Sequence, residues 1–263
     1  MSPQVWLRAP PSHYFKFPPA DLPQTLPAPQ DYPSFSQPFR IDPDLYNAAL
    51  DVKVPLTIAT VYAITVTLLN ALNRQRRHKP WAISKTRLFF AFVIAHNVFL
   101  AVYSAWTFVG MTNAIKNIWP GWRDWSSFPE VVDAFCKIQG PRGIGDAVQY
   151  NPESSQWFVG NPIVKLLNNQ PNPSDVGRLW NGGLAFYGWL FYLSKFYEVI
   201  DTLIILAKGK RSSFLQTYHH AGAMLCMWAG IRYMSPPIWM FCWYNSGIHA
   251  LMVSRNTMHM DLR

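Results

Sequence analysis

Two adjacent histidines in an apolar segment are the first feature of this sequence that could do chemistry. His219 and His220 stand in the stretch FLQTYHHAGAML, one helical turn after Gln216. Neutral imidazole is well suited to proton transfer near pH 7 and can also accept an acyl group. In a helix, the two rings would point about 100° apart, so one can face a cavity while a neighbour holds the other. The stretch predicts acid–base or nucleophilic chemistry. The simpler interpretation is a solvent-exposed helix end with no chemical role.

A charged helix face precedes the histidines in the stretch KFYEVIDT. Lys195, Glu198, Asp201 and Thr202 follow one another at helical spacing, which places them on one face. Charges are costly in lipid, so this face is predicted to point into a bundle interior or a water-filled cavity. Lys195 and Glu198 are three residues apart and can pair. The alternative is a structural ion pair between helices.

The stretch YNSGIHALM repeats the pattern, with Asn245 one helical turn before His249. A lone buried histidine bonded to asparagine is usually structural, but the repetition brings His249 into the site hypothesis. Cys226 and Cys242 each lie seven residues from one of the histidines. We expect both thiols to pack in the core rather than to act as nucleophiles.

A metal centre is not predicted, although paired histidines are also found in membrane di-iron enzymes. Those sites need many nitrogen ligands, whereas this chain has seven histidines in all and Gln216 at the first position of the box. A metal-dependent desaturase or hydroxylase remains an alternative. A non-enzymatic transporter, with the KFYEVIDT face lining an ion path, is another. Inverted repeats or Gly/Pro-broken helices would indicate a transporter, and the sequence shows neither.

The elements that must position these residues are apolar segments between polar connections. Half of the 263 residues are hydrophobic, and the mean hydropathy is zero. Five segments approach the roughly 20 residues that a membrane helix needs: 54–73, 88–112, 184–207, 214–231 and 237–253. The predicted fold is an all-α polytopic membrane protein with five transmembrane helices.

Lys and Arg residues concentrate in the loops between these segments and form no surface suited to nucleic acid. The net charge of +9 is therefore explained by the orientation of the protein in a membrane, and no nucleic-acid partner is predicted. The 74–87 loop carries six Lys and Arg residues and no acid, and the 208–213 loop adds Lys208, Lys210 and Arg211. The 116–178 loop balances six basic with six acidic residues. Both basic loops and the C-terminus are therefore predicted to be cytosolic.

The predicted organisation has three parts. Residues 1–51 are a Pro-rich tail, 52–253 a transmembrane domain that includes the 116–178 loop, and 254–263 a short polar cytosolic tail. The N-terminal tail and the loop would lie on the non-cytosolic side. Prolines concentrate in residues 1–43 and about 120–173 and predict little regular structure there, and the long loop is expected to be partly structured.

The motifs resemble those of the ELO family of very-long-chain fatty acid elongases. KFYEVIDT matches the family's KxxExxDT motif, QTYHH its HxxHH box in the QxxHH form, and NSGIHALM the start of NxxxHxxMYxYY. FVIAHNVFLAVYS is similar to its second helix, with His96 and Asn97. Three ordered motifs are highly specific together. The similarity runs from about residue 52 to Met252, and the Pro-rich head and long loop are similar to a fungal-type version.

The resemblance implies an endoplasmic reticulum protein of seven helices, six of them in an inverted barrel around a narrow tunnel. Five of the seven would be present here. The implied reaction condenses an acyl-CoA with malonyl-CoA, releasing CO2 and CoA and giving a 3-oxoacyl-CoA two carbons longer. It needs no metal or redox cofactor. The implied partners are both substrates and the lipid bilayer, with room for other elongation-cycle enzymes or a homodimer.

Residue roles follow from motif position. His219 would accept the acyl group, with His220 beside it and His249 facing it. Gln216 and Asn245 would orient imidazoles by hydrogen bonds. The cytosolic end of the tunnel would be shaped by Lys195, Glu198, Asp201 and Thr202. The CoA phosphates would be met by Lys208, Lys210 and Arg211.

The sequence departs from the family after HALM. The family motif continues with tyrosines into two more helices, whereas this chain reads VSRNTMHMDLR. We expect a C-terminally truncated chain. The codons for Val253 and Ser254 can match the nucleotides that begin an intron. Translation into a retained intron would therefore explain why the sequence departs from the family motif at this point. A transcript that continues in frame after Met252 would support this hypothesis.

Overall fold

Eight α-helices, three short 3-10 or π-helical turns and two small hairpins lie in the described part of the chain. The computed structural model describes residues 26, 33–122, 124–140, 148–160, 166–171 and 177–260. The helices are α1 Pro43–Ala49, α2 Lys53–Gln75, α3 Arg87–Ile118, α4 Phe128–Cys136, α5 Ala185–Tyr197, α6 Val199–Ala207, α7 Phe214–Arg232 and α8 Ile238–Met260. The antiparallel hairpins pair β1 Val148–Asn151 with β2 Gln156–Val159, and β3 Leu166–Leu167 with β4 Gln170–Pro171.

Helices α2 and α3 correspond to the first two predicted segments and are long and apolar enough to cross a membrane. The Thr86 hydroxyl caps α3 by accepting from the Phe89 amide at 3.1 Å. The helix runs to Ile118, past the predicted end at 112, because the first strong stop is Trp119 before Pro120.

The third predicted segment is not one helix. A π-helical turn at Trp180–Leu184 leads into α5, and Glu198 separates α5 from α6. At 13 and 9 residues these pieces measure about 20 and 14 Å, shorter than a membrane core of roughly 30 Å. The count of five spans therefore stays a prediction.

The long loop is partly structured, as expected, with α4 and the two hairpins, whereas α1 begins at Pro43, where the Pro-rich stretch 1–43 ends. Asp42 caps α1: its Oδ1 accepts from the amides of Asp44 and Leu45 at 2.9 and 3.1 Å, and Pro43 occupies the first helical position. This is a favourable start signal that outweighs the proline count.

The core forms around α5, where every residue from Ala185 to Tyr192 is buried. AFYGWLFY is apolar on all sides, as expected for a helix surrounded by others. By contrast, α2 and α3 keep many large apolar side chains exposed, including Val61, Ile64 and Leu68 on α2. Such an outer surface suits contact with lipid.

Helix α1 is joined to this core by aromatic donors. The Tyr46 hydroxyl, fully buried, donates to the carbonyl of Ala185 at 2.9 Å. Burial raises the pKa of Tyr46, so its phenol stays a neutral donor. The last carbonyls of α1 and its cap accept three further bonds: Tyr46 from Trp189 Nε1, Ala49 from the Tyr192 hydroxyl, and Leu50 from Trp228 Nε1.

The two basic loops lie against each other at one end of the bundle. The Trp81 amide donates to the Ala207 carbonyl at 3.0 Å, and Nδ1 of His78 lies 3.1 Å from the Gly209 carbonyl. Gly209 has φ 74°, and a Cβ there would collide with the backbone of His78 and Lys79. Glycine is therefore required at this contact.

Asn73 holds this end together, and we expect Asn73→Ala to lower the free energy of unfolding by about 1–3 kcal/mol. Its buried amide donates to the Leu206 carbonyl at 2.8 Å and accepts from Trp81 Nε1 at 2.8 Å. Alanine leaves both partners without their bond. Denaturant unfolding in detergent checks this, with exposed Gln75→Ala as a control expected within about 0.5 kcal/mol. Equal effects would contradict the assignment.

Two glycines should respond oppositely to alanine. A Cβ on Gly110 of α3 would overlap the Tyr187 ring, whereas one on Gly222 of α7 meets no atom within 4 Å. We expect Gly110→Ala to destabilise the fold by about 1–3 kcal/mol through overpacking. Gly222→Ala should stabilise it by up to about 1 kcal/mol through helix propensity. Thermal unfolding of both variants tests this, and a shift of the same sign in both would contradict it.

Candidate functional site

A buried ion pair lies at the junction of α5 and α6. Lys195 Nζ is 2.5 Å from Glu198 Oε1, and these side chains are 2 % and 4 % exposed. The Ser194 hydroxyl also contacts Glu198 Oε1, at 3.3 Å, and the Phe191 ring lies 3.8 Å from the ammonium. The predicted pairing is confirmed. It lies within one chain segment rather than between helices.

Asn245 of α8 completes the surroundings of Lys195. Its Oδ1 accepts from Lys195 Nζ at 2.9 Å. Its carbonyl oxygen thus serves the ammonium, a strong charged donor, and a bond from its amide nitrogen to an imidazole stays a prediction. This bond links α5 to α8 and brings two of the predicted motifs together.

Asp201 points to a different helix. Its Oδ1 accepts from Nε2 of His96 on α3 at 2.8 Å. The His96 side chain is fully buried, and its Nδ1 has no hydrogen-bond partner among the described residues. His96 entered the sequence analysis only through its resemblance to a family helix. A histidine inside an apolar segment was the signal that could have added it to the site.

The Thr202 side chain contacts both α2 and α7. Its hydroxyl lies 2.9 Å from the Tyr62 hydroxyl and accepts from Gln216 Nε2 at 3.3 Å. Gln216 therefore bonds to Thr202, and the expected bond to an imidazole is not formed. The Tyr62 ring also packs edge-on to His220, with centroids 6.1 Å apart. Tyr62 was missed, because one tyrosine in an apolar segment carries no distinguishing signal.

The two adjacent histidines have different environments, as helical geometry predicted. His219 is exposed, whereas His220 is 8 % exposed, and their ring centroids are 5.6 Å apart. His249 is half-buried on α8 and lies within electrostatic range of His219, Lys195 and Glu198. The three predicted histidines thus gather near the charged junction.

Other candidate groups separate from this cluster. In the described ranges, no three His, Cys, Asp or Glu side chains come together in a way that could hold a metal. Cys242 is buried, as predicted, and lies within electrostatic range of Lys195. Cys226 is exposed, so its predicted place in the core was wrong.

The three cations expected to meet CoA are exposed on the α6–α7 loop. Arg211 also lines a cavity between α2 and the start of α7, together with Arg74 and His78. Lys208 and Lys210 do not line it. Of the three predicted CoA-binding residues, Arg211 thus lies at the cavity and the two lysines lie outside it.

Comparison with known proteins places this arrangement in context. The model of the ELO family, described as the GNS1/SUR4 family, matches residues 47–254. The matched stretch includes every residue of the cluster described above. No solved structure matches the chain.

Several curated relatives are fatty acid elongases. Fatty acid elongase 2 of Trypanosoma brucei brucei is 32% identical over 78 residues, 30% of this chain and 29% of the relative. Fatty acid elongase sre1 of Dictyostelium discoideum is 36% identical over 98 residues, 37% of this chain and 35% of the relative. Very long chain fatty acid elongase 3 of Homo sapiens is 31% identical over 102 residues, 39% and 38% respectively. The chain thus matches about a third of the length of each.

Proposed function

The chain belongs to the ELO family, and we propose that it condenses a long-chain acyl-CoA with malonyl-CoA. The products would be a 3-oxoacyl-CoA, CO2 and CoA, which makes the protein an acyltransferase of fatty acid elongation. The relatives reported above are named as fatty acid elongases, and this supports the proposal.

The observation that carries the proposal is the meeting of three separate motifs. Lys195 bonds to Asn245 across α5 and α8, and Thr202 bonds to Gln216 across α6 and α7. His219 and His249 lie within electrostatic range of each other. An imidazole accessible from outside, beside buried polar groups, suits covalent or acid–base chemistry.

In the proposed reaction, His219 attacks the thioester carbonyl of the acyl-CoA. A carbon–nitrogen bond forms, the carbon–sulfur bond breaks, and CoA leaves as a thiol after taking the imidazole proton. Malonyl-CoA then loses CO2, and its enolate carbon attacks the acyl-imidazole. The new carbon–carbon bond replaces the carbon–nitrogen bond, and the departing imidazolate takes a proton from solvent, which restores neutral His219. His220 and His249 would orient or protonate the reacting groups, with Lys195, Glu198, Asp201 and Thr202 fixing their surroundings.

The substrates would approach from the end where the basic loops meet. Lys208, Lys210 and Arg211 are exposed there and would pair with CoA phosphates. We place this end on the cytosolic face of the endoplasmic reticulum membrane, in a multi-pass protein with the long loop on the lumenal side. The basic loops support this orientation, since positive charge favours the cytosolic face.

The decisive experiment incubates the purified protein in liposomes with a long-chain acyl-CoA and labelled malonyl-CoA. The expected product is a labelled 3-oxoacyl-CoA together with one CO2 for each product molecule. Failure to form it in a folded preparation would overturn the proposal.

Metal analysis of the same preparation separates the proposal from the alternative of a metal-dependent desaturase or hydroxylase. Stoichiometric iron, with conversion of a lipid in the presence of O2 and a reductant, would favour that alternative. Ion flux in sealed liposomes without condensation would favour a transporter. Neither alternative gains support from the contacts around Lys195.

A further inference from the structure

A cavity of about 540 Å³ lies between α2 and the start of α7. Of the residues named in the proposed function, only Arg211 lines it, and neither the three histidines nor the charged residues around Lys195 do. One part of its wall is basic, with Arg74, His78 and Arg211, and another is apolar, with Ala63 and Val66. A cavity with both kinds of wall suits an amphiphile with an anionic group.

The cations of this cavity are available to a ligand. Arg74 and Arg211 are exposed, and no acidic side chain within the described ranges forms an ion pair with either. His78 uses Nδ1 at the Gly209 carbonyl, which leaves Nε2 for another partner. Guanidinium groups present paired donors that match the oxygens of a phosphate.

Ser212 provides an independent indication of a missing partner. It lines the cavity and is 2 % exposed, and its Oγ has no hydrogen-bond partner in the described part of the chain. Asn70 fixes its backbone at both ends: the Ser212 amide donates to Oδ1 at 3.0 Å, and the Ser212 carbonyl accepts from Nδ2 at 3.1 Å. A buried hydroxyl that is held in place without a partner is costly unless a ligand satisfies it.

The surroundings of the cavity favour a ligand from the membrane. Helix α2 is one of the two membrane-length helices, and Ile64 and Leu68 expose their apolar side chains on it. Phe214, at the first turn of α7, is 82 % exposed and lines the cavity. The positive N-terminal end of α7 adds to the attraction for an anion.

We propose that this cavity binds an anionic phospholipid of the surrounding bilayer. Arg74, Arg211 and the Ser212 hydroxyl would receive its phosphate, and an acyl chain would lie along the apolar wall of α2. Acyl-CoA carries the same two chemical groups, but its thioester must reach His219, which does not line the cavity.

The test measures thermal unfolding of the whole chain in phosphatidylcholine nanodiscs with and without phosphatidic acid. The wild-type midpoint should rise by several degrees with phosphatidic acid, because a ligand bound only to the folded state stabilises it. Arg74→Gln/Arg211→Gln should lose this rise. Lys208→Gln/Lys210→Gln removes the same charge at the same end but not from the cavity, and should keep it.

Equal loss in both double variants would overturn the proposal, since it would indicate only general attraction to the basic end. So would an unchanged rise in Arg74→Gln/Arg211→Gln. In Ser212→Ala the rise should be smaller, while unfolding without phosphatidic acid should occur at the same or a higher temperature. If Ser212→Ala gives an undiminished rise, the hydroxyl is not a ligand and the proposed phosphate position is wrong.

Competition by soluble ligands in detergent distinguishes the sources of phosphate. A short-chain phosphatidic acid should bind the wild type at least about tenfold more tightly than the arginine double variant. Inorganic phosphate should compete weakly. If a long-chain acyl-CoA displaces the phosphatidic acid more strongly than unlabelled phosphatidic acid does, the cavity belongs to the substrate and the phospholipid assignment fails. None of these readouts depends on condensation activity.

Discussion

Lys195→Met is expected to lower the free energy of unfolding by about 3–5 kcal/mol, the cost of leaving one member of a buried ion pair alone. Glu198 would remain 4 % exposed with its charge unmatched, and Asn245 would lose its donor. The methionine fills a similar volume, so the loss reports charge rather than packing. Denaturant unfolding in detergent, followed by tryptophan fluorescence, measures it.

Two matched variants identify the origin of this loss. Lys195→Met/Glu198→Gln removes both charges and should recover most of the stability, because a neutral pair avoids the isolated carboxylate. Lys85→Met removes an exposed lysine and should change stability by no more than about 0.5 kcal/mol. If the double variant is no more stable than Lys195→Met, the pair does not have the role assigned to it.

His219→Ala is expected to reduce condensation by about 10²–10⁴-fold, the range associated with a positioned acid or base, and by more if the imidazole carries the acyl group. Because His219 is exposed, the substitution should leave the unfolding transition within about 0.5 kcal/mol of the wild type. The labelled malonyl-CoA assay gives the rate. Mass spectrometry of protein quenched with acyl-CoA alone should detect a covalent acyl group that the variant lacks.

Cys226→Ala is the matched control for His219→Ala. Cys226 is also exposed on α7 and is the one thiol of that helix. It should keep the wild-type rate. Loss of activity in Cys226→Ala with full activity in His219→Ala would move the chemistry to the thiol.

Sequence patterns predicted helix boundaries best where a capping residue marks the start of the helix. Serine and threonine caps begin α7 and α3, and these starts lie close to the predicted ones. The division at Glu198 had no such signal, because KFYEVIDT has the spacing of an uninterrupted helix. Helix α1 was missed because the proline content of the tail hid the favourable start at Asp42 and Pro43.

The candidate site was predicted by residue but not by partner. Helical spacing gives the direction of a side chain around one axis and does not tell which helix lies opposite. Asp201 and Thr202 were therefore assigned to one face, whereas they reach α3 and α2 through His96 and Tyr62. These contacts span more than 100 residues, beyond what local periodicity can specify.

The attachment of α1 has a consequence for the order of events during synthesis. Its partners Ala185, Trp189 and Trp228 follow it by 139 to 178 residues. At about 5–20 residues per second, the ribosome needs roughly 7–35 s to make that length. Until these residues have been made, the Tyr46 hydroxyl and the final carbonyls of α1 lack their native hydrogen-bond partners. Helix α1 can therefore complete its docking only after α5 and α7 have been made, more than 100 residues later.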